Sequence, residues 1–193
     1  MARTDISDSL IHYTRAHAEG EDPCDRLRSI VSDCCLLGGT GKIRGAHACV
    51  CFSEAPLASE GLVNSSSYSK YSPFGVMFKK EWIFEQGGRP VIYQPGAEYD
   101  VLPDVLKWRH VTYEPPTTDF TWEREWRVNC AELQFDPSVA TIVLPTREYL
   151  SWLVADHEGE QDCFAYQYST ILAEDELQMY RDDFPWSIVC LDE

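Results

Sequence analysis

Two shortages bound this sequence first. No apolar run approaches the ~20 residues that a bilayer span requires, so no membrane helix is expected. Basic residues are scarce: 16 Lys and Arg stand against 32 Asp and Glu, a formal net charge of −16. A surface of that sign repels phosphate backbones, whose binding depends on neutralisation by Lys and Arg. A nucleic-acid acceptor is therefore disfavoured relative to a protein one, and the acidity suits a basic protein partner. Residues 1–8 are polar and acidic, unlike a secretory signal. No lipidation motif, internal repeat or low-complexity linker is visible.

What is present fits one folded domain over residues 1–193. Apolar residues make up 44% of the chain and aromatics 12%, enough to build a core rather than a disordered segment. The eight cysteines are Cys24, Cys34, Cys35, Cys49, Cys51, Cys130, Cys163 and Cys190. Without an export signal, and with a core large enough to need no cross-links, they read as reduced and mostly buried thiols. The expected compartment is the cytoplasm.

The element pattern is irregular. Residues 10–14 read as a strand. Asp22-Pro23 starts a helix, since Asp caps and Pro fits the first turn. Leu27, Ile30, Val31 and Cys34 follow at helical spacing, and Gly38-Gly39 is expected to end it. Strands are expected over 48–54, 74–78, 90–93, 108–113, 120–129, 140–144, 164–172 and 186–191. A short helix or turn is expected from Pro56, and a polar loop over 64–72. Further helices are expected over 79–86 and within 97–106, with another capped by Thr146 and ending at a polar turn over 157–162. Many short strands with a few helices in irregular order argue for an α+β fold rather than regular βαβ winding.

The best-marked chemistry lies in residues 120–128. If this is a strand, Phe120, Trp122, Trp126 and Val128 share one face and Thr121, Glu123, Glu125 and Arg127 the other. Glu123 and Glu125 would then stand roughly 7 Å apart on one face. Such a carboxylate pair suits acid/base work or stabilisation of a developing cation. The plain alternative is a solvated strand face on which Glu125 and Arg127 form a surface ion pair.

The segment Trp122-Glu123-Arg124-Glu125-Trp126-Arg127 resembles the signature of a bacterial and phage-borne family related to abortive-infection proteins. It also resembles the Glu-x-Glu motif of ADP-ribosyltransferases. His12-Tyr13-Thr14 is similar to the His-Tyr start of the diphtheria-toxin-like and DarT-like branches. Phe52-Ser53-Glu54 is similar to the serine-bearing strand of the arginine-specific branch. The order of the three matches that class over residues 9 to 130. The mixture departs from it, because the serine motif there accompanies a first-strand arginine rather than a histidine.

The resemblance implies an ADP-ribosyltransferase-like mixed or antiparallel split sheet with peripheral helices. It implies NAD as substrate, with ADP-ribose passed to a macromolecular acceptor or to water, in a toxin, anti-phage or counter-defence setting. Glu125 would steady the oxocarbenium-like ribose through its 2′-OH, and Glu123 would orient or deprotonate the acceptor. His12 would hydrogen-bond the adenosine-side ribose, with Tyr13 and Thr14 beside it and Ser53 on the middle strand. Tyr71 and Phe74 would stack on nicotinamide. Each has a plain counterpart: a core histidine, a serine bonded to backbone, core aromatics. A non-catalytic acidic interaction module and a nucleoside or glycoside hydrolase using the same carboxylates are the rival functions.

Other motifs carry less. Gly38-Gly39-Thr40-Gly41-Lys42 lacks the Gly at 36 and the Ser or Thr at 43 of a phosphate loop, where Leu36 and Ile43 stand. His47, Cys49 and Cys51 share an expected strand face, but Cys-x-Cys spacing without a second pair is poor for zinc, so no metal is expected. Glu174-Asp175-Glu176 and the acidic residues after it read as solvated surface, or as an acidic docking face.

Overall fold

The fold is organised around a strand buried on both faces. Ser9–Arg15 (β1) places Leu10, with no exposure, in the main core, and Ile11 and Tyr13 in a smaller cluster with Val143 on the opposite side. A central strand reads in this way as a nearly continuous apolar run, because neither face meets water. The computed structural model describes residues 6–15, 22–54 and 71–192, with the side chains of residues 15 and 71 left aside. The expected turn at Pro56 and most of the 64–72 loop lie outside these residues.

The other strands are Cys35–Leu37 (β2), Val50–Ser53 (β3), Tyr71–Lys79 (β4), Arg89–Pro90 (β5), Ile92–Gln94 (β6), His110–Thr112 (β7), Glu125–Val128 (β8), Glu132–Gln134 (β9), Ala140–Leu144 (β10) and Ser187–Cys190 (β11). Seven of them form a mixed sheet in the order β11-β10-β4-β1-β3-β8-β5. The β10–β11 pair is parallel, and the remaining neighbours are antiparallel. Two small sheets, β2–β9 and β6–β7, flank it. The α+β architecture expected from the element order is thus present: a mixed sheet with several helices.

The main core lies on one face of the sheet. Phe78 is at its centre, stacked on Trp82 at 5.0 Å and edge-on to Phe52 and Phe135. Pro23–Asp33 (α1) covers this face with Cys24, Leu27 and Ile30. Asp22 caps it as expected, accepting the Cys24 N–H at 2.9 Å. The helix stops earlier than the glycines suggested: Cys34 takes the left-handed conformation, φ 47°, and β2 begins at once.

Lys80–Glu85 (α2) follows β4 and ends at Gly87, whose φ of 87° favours glycine. Gly75 on β4 is needed for close approach: a Cβ there would come within 2.7 Å of the His12 carbonyl oxygen. The expected helix within 97–106 is two short 3₁₀ segments, Gly96–Val101 and Asp104–Arg109.

The largest departure is at the C-terminal end. Glu148–Tyr168 (α3) runs 21 residues, through the expected turn at 157–162 and into the expected strand at 164–172. Arg147, not Thr146, sits at its cap. Phe164, Tyr166 and Tyr168 alternate as a strand would, but Phe164 and Tyr168 are also four apart. Their rings meet at 4.5 Å, and Phe164 packs on Tyr180 beyond Glu174–Gln178 (α4). Polar contacts replace apolar ones along α3: Arg28 of α1 binds Asp156, and Ser32 donates to Glu160. No helix among the described residues is long and apolar enough to cross a membrane.

Phe78 is 1% exposed and touches three aromatic rings. Phe78→Ala is expected to cost about 3–5 kcal/mol in urea denaturation. A loss below about 1 kcal/mol would show that the core is centred elsewhere.

Candidate functional site

The strands bearing the three sequence motifs are neighbours. In the order β1–β3–β8, Ile11 pairs with Ser53 and Ser53 pairs with Glu125. Directly opposed antiparallel residues share a face at roughly 4.5–5.5 Å between Cβ atoms, so Ile11, Ser53 and Glu125 form a row across three strands. Tyr13 and Cys51 extend the same face.

Among the described residues the β1–β3 ladder is short, with Ile11–Ser53 as its single registered pair. Towards Cys51 no further pair is registered, and the Cys51 carbonyl is met instead by the His12 imidazole. Nδ1 donates to it at 2.8 Å, which fixes Nδ1 as the protonated nitrogen on this bond. The His12 ring lies edge-on to Phe52 at 5.9 Å. A cavity of about 40 Å³ occupies this seam, lined by Ile11, His12, Tyr13, Cys51, Phe52, Ser53 and Glu125.

Glu123 is not beside Glu125. Residues 120–129 do not form one strand: Thr121–Glu123 is a 3₁₀ turn, Arg124 is left-handed at φ 45°, and β8 begins only at Glu125. The expected pair of carboxylates on one strand face is therefore corrected. The reversal at Arg124 turns the chain, so sequence alternation no longer reports the face. Glu123 contributes its carbonyl, which accepts the Ser53 hydroxyl at 2.8 Å. Ser53 is 3% exposed, so this bond satisfies a buried hydroxyl.

Arg127, which alternation grouped with Glu125 as a surface pair, is 4% exposed. Its Nε and Nη2 donate to the two Glu125 carboxylate oxygens at 2.8 and 3.2 Å. Its Nη1 donates to the carbonyls of Trp108 and His110 at 2.9 and 3.1 Å. Burial works against the Arg127 charge, but Glu125 outweighs it and the guanidinium pKa lies above its ordinary value. Tyr93 completes the setting: its hydroxyl accepts the Glu125 N–H at 3.1 Å and donates to the Phe120 carbonyl. Burial pushes the Tyr93 phenol up to about 12.

Glu54 had no assigned role in the sequence reading. Its carboxylate accepts the Trp126 indole N–H at 2.8 Å and pairs with Lys80 at 2.6 Å. The signature thus serves both faces of β8: Trp126 is tied to Glu54 and Lys80, while Glu125 and Arg127 are tied to each other. The signal for both was the order of the strands, which the sequence alone does not display.

The other expected site residues lie apart. Thr14 is 1% exposed, hydrogen-bonded with the Ser72 hydroxyl and donating to the Phe74 carbonyl. Phe74 is a core residue, edge-on to Tyr149 at 4.8 Å. Neither lines the seam. The Tyr71 side chain lies outside the described residues. Tyr13 does line it, with its phenol pushed up to about 12 by burial.

Thiol chemistry is unfavourable here. Burial raises Cys49 to about 11 and Cys51 further, with the Glu125 carboxylate adding to the effect at Cys51. No cluster of three or more His, Cys, Asp or Glu among the described residues is arranged to hold a metal ion. A larger groove of about 850 Å³ separates α1 from α3. Its Asp25 and Asp156 are paired with Arg28, and Ser32 donates to Glu160. It holds none of the motif residues, so its size does not make it the better site.

No family model, curated protein or solved structure matches the chain.

Arg127→Met would leave Glu125, whose side chain is 12% exposed, without its partner. It is expected to cost about 3–5 kcal/mol in urea denaturation, much of it recovered in the Glu125→Leu/Arg127→Met double variant. Equal losses in both variants would contradict this account of the pair. Alkylation with iodoacetamide at pH 8 is expected to modify the exposed Cys163 and spare Cys49 and Cys51, read by peptide mass spectrometry.

Proposed function

We propose that this chain is an NAD-consuming enzyme of the ADP-ribosyltransferase-like class, with Glu125 as its charge-stabilising carboxylate. The observation that carries the reading is the row Ile11–Ser53–Glu125 across β1, β3 and β8, with a cavity at the seam that His12 also borders. Three motifs distant in sequence lie on adjacent strands, which supports the reading.

On this reading the chemistry centres on Glu125. Breaking the nicotinamide–ribose bond develops positive charge on the ribose. The Glu125 carboxylate oxygens each keep acceptor capacity beyond their bond to Arg127. One would accept the ribose 2′-OH and strengthen that bond as the cation forms. Arg127 holds the carboxylate in one orientation. Glu123, on the turn before β8, would face the acceptor rather than the ribose. His12 would reach the adenosine-side ribose, and Tyr13 would form part of the wall.

A cavity of about 40 Å³ has room for about one water molecule. Ligand sites run to about 300–1,000 Å³. The dinucleotide would therefore enter only as the β1–β3 seam widens. That strand pair is already the least paired in this part of the sheet. Transfer to a protein acceptor and hydrolysis of NAD both fit the same carboxylate, and the defence or toxin setting rests on the resemblance alone.

One observation favours a second reading, a non-catalytic protein-interaction module. Arg127 engages both oxygens of Glu125, as a purely structural ion pair would. The two readings separate on nicotinamide release from NAD, followed by chromatography with and without cell extract as acceptor. Glu125→Gln, shown by circular dichroism to be folded, is expected to lose ~10²–10³ or more of the rate. Ser53→Ala provides a second variant at the seam that leaves the ion pair intact. Equal release by wild type and a folded Glu125→Gln protein would remove Glu125 from the chemistry. No release under any condition would leave the interaction module.

A further inference from the structure

Among the described residues, Arg28, Arg44, Lys80, Lys107, Arg127 and Arg181 each pair with a carboxylate. That is expected of a chain with twice as many acids as bases. Lys42 and Lys79 have no such partner among the described residues but are exposed, as solvated cations are; Arg89 and Arg109 lack one without being exposed. Both are half-buried, and their side-chain bonds go to backbone carbonyls alone. Arg89 Nη1 donates to Phe84 at 2.9 Å and to Gly88 at 2.6 Å, and its guanidinium stacks on the Phe84 ring at 3.8 Å. Arg109 Nε donates to the carbonyl of Pro90, the residue after Arg89, at 2.9 Å.

The two charges are close enough to oppose each other. Burial and the neighbouring Arg89 together hold the Arg109 guanidinium below its ordinary pKa. Arg89 is also the cross-strand partner of Arg127, and Arg127 bonds to the carbonyls on both sides of Arg109. Three guanidinium groups thus gather along the β5–β8 edge, and Glu125 is the carboxylate that answers one of them. Two fixed cations without a counter-ion are a standing cost that an anion relieves. The planar fork of arginine matches phosphate oxygens in particular.

We propose that Arg89 and Arg109 form a binding site for a phosphate group, carried by a nucleotide or free in solution. The site goes beyond the NAD reading and stands whether or not NAD is consumed. Its position adds a link to that reading. Strand spacing and rise put residues 89 and 125 about 8 Å apart at their Cα atoms, a span suited to a ribose at Glu125 with its own phosphate at the arginines.

Isothermal titration with ADP, inorganic phosphate and adenosine at low salt tests the site. ADP is expected to bind and adenosine to bind at least ten-fold more weakly. Arg89→Ala and Arg109→Ala should each weaken ADP by about ten-fold or more, and raised salt should weaken it in the wild type. Arg89→Lys and Arg109→Lys keep the charge while losing the fork, and thermal melting verifies folding. ADP binding well above inorganic phosphate supports a nucleotide as the source; equal Arg-dependent binding of both supports free phosphate. Binding of neither, or ADP binding unchanged in folded alanine variants, overturns the site. Arg-dependent ADP binding without nicotinamide release would keep this site and end the NAD reading. Nicotinamide release with an unchanged KM in the alanine variants would do the reverse.

Discussion

The largely buried pair of Glu125 and Arg127 is the constraint on which the rest of this region depends. Removing two such ions from water costs several kcal/mol each, and their mutual attraction offsets this only where the remaining hydrogen-bonding groups are also satisfied. Here they are well supplied. Arg127 uses three of its nitrogens, two on Glu125 and one shared between the carbonyls of Trp108 and His110. The last two contacts tie the segment entering β7 to β8, although the two belong to different sheets. The pair fixes where β8 starts, which way the Glu125 carboxylate points and how the 108–110 segment lies against it.

Satisfied at Arg127, the sheet is left under-bonded at its other seam. Among the described residues the β1–β3 ladder has one registered pair, and His12 supplies by side chain the hydrogen bond that the Cys51 carbonyl lacks from a neighbouring strand. Side-chain repair of this kind can be undone without breaking a long ladder. The strands on either side are held more firmly: β1 to β4 through a long register, and β3 to β8 through four residue pairs. Any opening of the sheet in this region would fall at the seam, where Ser53, His12 and Glu125 meet.

The sequence made some of this legible and concealed the rest for identifiable reasons. Asp22-Pro23 announced α1 because capping is local. The runs that became β1, β3, β4 and β10 were visible because buried strands are apolar on both faces or alternate cleanly. The single strand expected over 120–129 was misleading: Arg124 adopts a left-handed conformation with no glycine or asparagine to mark it. The residues on either side kept the alternating pattern, so the face of Glu123 was misread while that of Glu125 was not. In α3, Leu153 is the one buried residue, and its partners on α1 are charged or hydroxylated. The first half of this helix packs Tyr149, Leu150 and Leu153 on the core and was expected; the second half, held by polar contacts, leaves little hydrophobic periodicity to detect. Phe74 and Thr14 looked available for a ligand because aromatic and hydroxyl groups serve cores and sites equally; strand pairing alone placed them inside.

Charge explains why these features belong together. A chain of formal net charge −16 disfavours an anionic ligand everywhere except where cations are concentrated. A carboxylate that steadies a ribosyl cation must, on the NAD reading, also admit a substrate that carries two phosphates. An unpaired Glu125 would repel that substrate on approach. Paired with Arg127 it presents little net charge at a distance, because opposite charges in contact cancel beyond a few ångströms. Its oxygens still act at hydrogen-bonding range. Arg89, one strand away on β5, and Arg109, bonded to the Pro90 carbonyl beside it, then give the edge a local positive potential against an acidic background. The same ion pair that makes Glu125 look structural is therefore what would let an anion reach it, so the pairing alone does not decide against catalysis.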